Sequence, residues 1–110
     1  MDCKKGAIVL VNLNPKKGEE IGKLHPAIVV SDDVQNQELD VIIVVPLSSK
    51  LLDDAYPYRI RIPAREGLDH PSDALAYHIR AISKKRVRSV VAHITEQELE
   101  ILKNAICEVL

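Results

Sequence analysis

The chain contains no tryptophan and no phenylalanine, and its aromatic side chains are three tyrosines, Tyr56, Tyr58 and Tyr77. Its apolar content rests instead on twelve residues each of Val, Ile and Leu, so β-branched side chains are plentiful and strands should dominate. Cysteine is also scarce. Cys3 and Cys107 stand near opposite ends with no paired-ligand spacing, the pattern of a reduced chain in a reducing compartment rather than of a disulfide framework. No apolar run approaches the roughly 20 residues that a membrane span requires. The start, Met1-Asp2-Cys3-Lys4-Lys5, is too short and too charged for a signal peptide. A cytoplasmic protein with no membrane partner is expected. Charge of one sign is missing too: 15 basic against 16 acidic side chains leave a net charge of -1, so attraction to nucleic acid must come from a local patch. There is no Gly-x-Gly-x-x-Gly, phosphate loop or Gly-x-Ser-x-Gly elbow. The four histidines, His25, His70, His78 and His93, never pair at metal-ligand spacings, so neither a metal nor a cofactor is expected.

What remains is the balance of a globular chain: 110 residues, 46% apolar and 28% charged. That length fits one domain over 1–110, burying roughly two-thirds of the surface its unfolded form exposes. Gly6 to Leu13 reads as a first strand, stopped by Asn14-Pro15 and a polar loop through Gly22. Pro26 to Ser31 is a second strand, Asp32-Asp33 opens a polar turn, and Asp40 to Pro46 is apolar almost throughout, the mark of a central strand covered on both faces. Tyr58-Arg59-Ile60-Arg61-Ile62 alternates, burying one face and sending two guanidiniums into solvent or toward a partner. After a turn over Gly67–Ser72, Ala74 to Ile82 is read as strand in preference to helix, followed by the basic turn Ser83-Lys84-Lys85-Arg86 and a short strand over Val87–Val91. Thr95 with Glu98 forms a capping box, and Leu99, Leu102, Ile106 and Val109 recur at helical spacing, which predicts a C-terminal amphipathic helix. Strands first and a helix last give an α+β fold with an antiparallel or barrel-like sheet.

Two features carry possible chemistry. Lys23-Leu24-His25-Pro26 sets a lysine and a histidine between a loop and a strand, and Ser48-Ser49-Lys50 follows the central strand. A histidine can move a proton, and hydroxyls and a lysine can hold a phosphate, which are the parts that metal-free RNA cleavage by a ribose 2′-hydroxyl needs. The same residues also fit a solvated loop histidine and a polar turn. The second feature is Arg80, Lys84, Lys85, Arg86 and Arg88, five positive charges with no acid among them. This run is either a solvated turn or, with Arg59 and Arg61, a track for a phosphate backbone. With so few aromatics, base specificity would rest on hydrogen bonds to unstacked bases.

The order of these motifs resembles the MazF/PemK family of toxin endoribonucleases. The likeness rests on the Gly-led first strand ending Val11-Asn12-Leu13-Asn14-Pro15, on Gly18 through Ser31, on Val44-Val45-Pro46-Leu47-Ser48-Ser49, on Gly67-Leu68-Asp69 with Ser72 to Ala76 and Ile79-Arg80-Ala81-Ile82, and on the terminal helix. It runs from about Lys5 to Leu110. It implies a strongly curved antiparallel sheet, SH3-like or a partial barrel, with short helices, the fold shared with CcdB toxins. It also implies a homodimer that cleaves single-stranded RNA without metal, leaving a 2′,3′-cyclic phosphate and a 5′-hydroxyl, and a MazE-like antitoxin whose disordered tail folds into the RNA groove.

Carried over position by position, the family's arginine before the proline of the second strand is His25 here. Its Thr-Ser pair is Ser48-Ser49, and its Asp-Gln pair is Tyr77-His78. The usual Asp after the leading glycine is Ala7. The resemblance thus implies catalytic roles for His25 and Ser48, and substrate contacts from Lys23, Ser49, Lys50, Tyr77, His78 and Arg80. Free imidazole titrates near neutrality, which suits a general base, but it lacks the permanent charge with which a guanidinium stabilises a phosphorane-like transition state. Lys23, Lys50 or Arg80 would have to supply that cation. Two other readings stay open: a MazF-like module that binds RNA or antitoxin without cutting, and a CcdB-like gyrase inhibitor.

Overall fold

The computed structural model describes residues 3–13 and 24–110. The loop expected up to Gly22 and the candidate Lys23 lie outside the described residues. In chain order the elements are β1 (Ala7–Val11), β2 (His25–Val29), α1 (Asp33–Glu38), β3 (Val41–Ser48), β4 (Arg59–Ile62), β5 (Ser72–Leu75), β6 (Arg80–Ser83), β7 (Val87–His93) and α2 (Glu96–Val109). All pairings are antiparallel, in the order β4-β5-β3-β2-β1-β7, with β6 also beside β3. The path runs from β4 to β7 without closing, so the sheet is a curved, open one, in an α+β fold. Two register shifts between β1 and β7 add curvature, since an extra residue in one strand bends it and tightens the twist.

Pleat alternation divides the apolar residues into two cores. On one side Ile8, Ile28, Val45, Leu47 and Ile60 pack against Leu102, Ala105 and Ile106 of α2. On the other, Ala7, Val9 and Val11 of β1 pack with Ala27, Val29, Val44 and Ile82. Because β3 feeds both cores and is paired along both edges, its apolar run is continuous rather than alternating.

The terminal helix starts as its sequence predicts: Thr95 Oγ1 accepts from the Glu98 amide and the Glu98 carboxylate accepts from the Thr95 amide. Glu98 also receives a two-pronged ion pair from Arg65, at 2.7 and 2.6 Å, and Arg65 donates to the carbonyl of His93. The cap therefore fixes the helix to the loop after β4. In that loop Gly67 has φ +92°, and a Cβ there would overlap the carbonyl oxygen of Val91, so only glycine fits.

Two local expectations are corrected. Asp32-Asp33 does not open a plain turn: Asp32 caps α1, its Oδ1 accepting from the Gln35 amide at 2.9 Å. Six residues with one buried side chain, Asn36, are too short and too polar to show helical periodicity. The stretch 74–82 is not one strand either. It is the end of β5, a 3₁₀ turn over Ala76–His78, and β6. β5 pairs with Leu47 and Ser48 while β6 pairs with Val41 to Val44, and the three residues of the turn take up the slip in register between them.

Candidate functional site

The registers align two sets of residues. Val11 of β1 faces His25, Ser48 of β3 faces Asp73 of β5, and Asp73 faces Arg61 of β4. The β2–β3 pairing runs from Val29 opposite Val44 to Ala27 opposite Pro46, and His25 and Ser48 each lie two residues past that same end. Directly opposed residues of antiparallel strands share a face. Val11 and His25 thus lie on the face opposite α2, as do Ser48, Asp73 and Arg61, beyond the core around Ala27 and Val44. His25 and Ser48 are half-buried there.

At Ser48 the chain leaves the sheet. Its hydroxyl accepts from the Lys50 amide at 3.2 Å and lies 3.4 Å from the Lys50 carbonyl oxygen, a serine turn that exposes Ser49 and Lys50. Arg59 Nη1 donates to that same carbonyl at 2.8 Å and to Asp73 at 3.2 Å. Asp73, whose side chain is 1% exposed, also accepts from Arg61 Nε at 2.6 Å and from the Leu52 amide at 2.8 Å. Arg61 reaches on to Asp53 at 2.8 Å. Burial alone pushes the Asp73 carboxyl up. The hydrogen bonds from Arg61, Leu52 and Arg59 outweigh it and hold the group below the usual carboxylate range.

Two clefts flank this network, of about 460 Å³ beside Asp73, Arg61 and Tyr56 and about 470 Å³ beside Tyr58, Tyr77 and Leu52. Arg59 lines both. Neither His25 nor Ser48 borders them. Tyr77 and His78 sit on the exposed 3₁₀ turn with their rings edge-on at 4.5 Å, and Tyr77 meets Tyr58 edge-on at 6.4 Å.

The other expected residues are dispersed. Arg80 is exposed and opposite Val44, four residues along β3 from Ser48, about 13 Å at strand rise. Much of the basic run is engaged: Lys84 Nζ bonds the carbonyls of Asn36 and Gln37, Arg86 that of Leu13 and Arg88 that of Lys85. Arg59 and Arg61 do not run free into solvent as their alternation suggested, because buried Asp73 holds them. Sequence reading missed Asp73, which lies in a mainly apolar stretch and gains meaning only from its cross-strand neighbours. Among the described residues no three His, Cys, Asp or Glu side chains converge as a metal site, and no helix is long and apolar enough to cross a membrane.

An open, curved antiparallel sheet with one face sealed by its terminal helix and polar side chains on the other defines a small α+β fold. A chain of the MazE-MazF complex (Form-II) from Deinococcus radiodurans has this fold, with a TM-score of 0.81, 99% of this chain and 96% of that chain covered, and 23% identity. Residues 4–110 match the model of the PemK-like, MazF-like toxins of type II toxin-antitoxin systems, and the chain belongs to that family. Among curated relatives, endoribonuclease EndoA of Bacillus subtilis is 26% identical over 107 residues, 96% of this chain and 92% of EndoA. Endoribonuclease MazF of Staphylococcus saprophyticus is 24% identical over 104 residues, 94% of this chain and 87% of that protein.

Proposed function

We propose that this toxin is a metal-independent endoribonuclease of the cytoplasm, acting as a homodimer on single-stranded RNA and held in check by a MazE-like antitoxin. The observation that carries the reading is the placement of His25 and Ser48 past the same end of the β2–β3 pairing, in a family whose relatives include endoribonucleases. The solution of the Deinococcus relative as a MazE-MazF complex supports the choice of partner.

In this reaction His25 takes the proton of a ribose 2′-hydroxyl. The 2′-oxygen attacks the adjacent phosphorus and the bond to the 5′-oxygen breaks. The proton held on the imidazole returns to the departing oxygen, leaving a 2′,3′-cyclic phosphate and a 5′-hydroxyl. Ser48 donates to a non-bridging phosphate oxygen. Ser49, Lys50, Tyr77, His78, Arg80 and Lys23 are the candidate contacts to the rest of the strand.

The test is incubation of the purified protein with a long transcript in EDTA. Fragments ending in cyclic phosphate are expected, and His25→Ala should slow their formation by ~10²- to 10⁴-fold, the usual worth of a positioned proton-transfer group. An unchanged rate removes His25 from the chemistry. RNA bound but left whole would favour a non-cutting module, and inhibition of gyrase in a supercoiling assay a CcdB-like activity.

A further inference from the structure

A histidine base moves a proton but brings no fixed charge, while the pentavalent phosphorus of this reaction gathers negative charge that preorganised donors must meet. From the geometry around Ser48 we infer that Arg59 supplies this charge: it is the guanidinium that contacts the scissile phosphate, and Asp73 positions it. The inference rests on the nuclease reading above and deepens it.

The Lys50 carbonyl oxygen is 3.4 Å from Ser48 Oγ and 2.8 Å from Arg59 Nη1, so hydroxyl and guanidinium flank one backbone atom. Nη1 is committed to Lys50 and Asp73, whereas Nε and Nη2 bond nothing else among the described residues and remain as a planar pair of donors. Arg59 side-chain exposure is 19%, so the side chain is fixed in place yet reachable from solvent. Arg59 and Arg61 share the buried Asp73, and Arg61 alone has a second carboxylate, Asp53, so Arg59 is the less fully countered of the two.

The alternatives are less suited. Arg80 lies four residues along β3 from Ser48. Lys50 is an exposed ammonium with no side-chain partner among the described residues, and ordering it on a phosphate would cost rotamer freedom that Arg59 has already given up. Arg61 spends Nε on Asp73 and Nη2 on Asp53.

The experiment measures cleavage of one transcript by the wild type, Arg59→Gln and Arg59→Lys, alongside thermal melts. Arg59→Gln should lower kcat by ~10²- to 10³-fold with little change in KM, as loss of one preorganised donor does elsewhere. Arg59→Lys should fall between the two. Arg59→Gln within about threefold of wild type overturns the assignment. So does a loss that tracks a lowered melting temperature across the two variants.

A separate arm titrates an uncleavable 2′-O-methyl oligonucleotide of mixed sequence at several salt concentrations. Arg59→Gln should reduce the salt dependence of binding by about one phosphate contact. If the wild type binds this probe but cuts no RNA, the nuclease reading fails while Arg59 is still judged by the slope. An unchanged slope overturns the phosphate contact.

Discussion

Arg59 and Arg61 on β4, and the run from Arg80 to Arg88, are the two basic stretches of this chain, and they are held by opposite means. The β4 pair converges on one carboxylate that is almost fully buried, shared across β5 and linked through Lys50 to the turn at Ser48. The later run, though denser in charge, is spread over backbone carbonyls: Lys84 at the end of α1, Arg86 on Leu13, Arg88 on Lys85. Charge density along a sequence thus says little about where a phosphate will sit. What matters is a counter-ion that fixes a cation while leaving some of its donors open.

If the buried carboxylate organises the first stretch, removing it should have the largest effect on the fold. Asp73→Asn leaves the part-buried Arg59 with no carboxylate and Arg61 with the exposed Asp53 alone, and breaking such a cluster from one side costs about 3 kcal/mol. Urea denaturation should show the midpoint falling accordingly. Replacing all three members with apolar residues, Asp73→Val, Arg59→Met and Arg61→Met, should recover most of that loss, because no unpaired charge remains. A single Asp73→Asn that leaves the midpoint unmoved would erase the distinction between the two stretches.

Acid should separate them next. Asp73 is held below the usual carboxylate range by its arginines and the Leu52 amide, and Glu98 is held low first by Arg65 and then by the Thr95 amide, against the upward push of burial. A carboxylate with a depressed folded pKa binds protons more weakly in the folded chain than in the unfolded one. Its stabilisation is therefore complete above the unfolded value, about 4, and is lost as pH falls through the folded value. Stability should drop below roughly pH 4, and the Asp73→Asn and Glu98→Gln variants should each show a shallower decline. The basic run includes no carboxylate, so neutralising its members should leave that acid limb in place. An equally steep limb in both carboxylate variants would refute the assignment.

How much of this could be read beforehand depends on the range of the interactions. The α2 cap was legible because Thr95 and Glu98 are three residues apart and Leu102 and Ile106 repeat on one face. The central strand was legible because an unbroken run of β-branched residues can be buried only where both faces of a strand are covered. The Arg65 bond to Glu98 was not, nor were the two arginines on Asp73, since each joins residues on different elements. The same holds for the site itself. His25 and Ser48 could be chosen as candidates from residue type and resemblance, but their placement past the same end of two neighbouring strands follows from the β2–β3 pairing. Tyr77 and His78 read as strand in the sequence and lie on a 3₁₀ turn, because the slip in register that creates the turn is a property of β3 and its two partners together.

The smallest effects should come from the denser run. Lys84 lies at the C-terminal end of α1, a helix with no basic residue in its own last turn, and bonds two of its final carbonyls. A cation at that end of a helix is worth about 0.3–1 kcal/mol, so Lys84→Met should lower stability by that much. Lys85 is exposed, and Arg88 bonds only the carbonyl of Lys85, so Lys85→Gln and Arg88→Gln should leave the melting temperature almost unchanged. On RNA these two variants should alter kcat/KM by about threefold or less, the scale of one exposed and screened charge. Arg59→Gln carries one charge change as well, from a sparser stretch, and its expected effect is far greater. Were Lys85→Gln or Arg88→Gln to slow cleavage as much as Arg59→Gln does, position relative to Ser48 and anchoring by Asp73 would cease to explain which cations act, and total positive charge would be the better account.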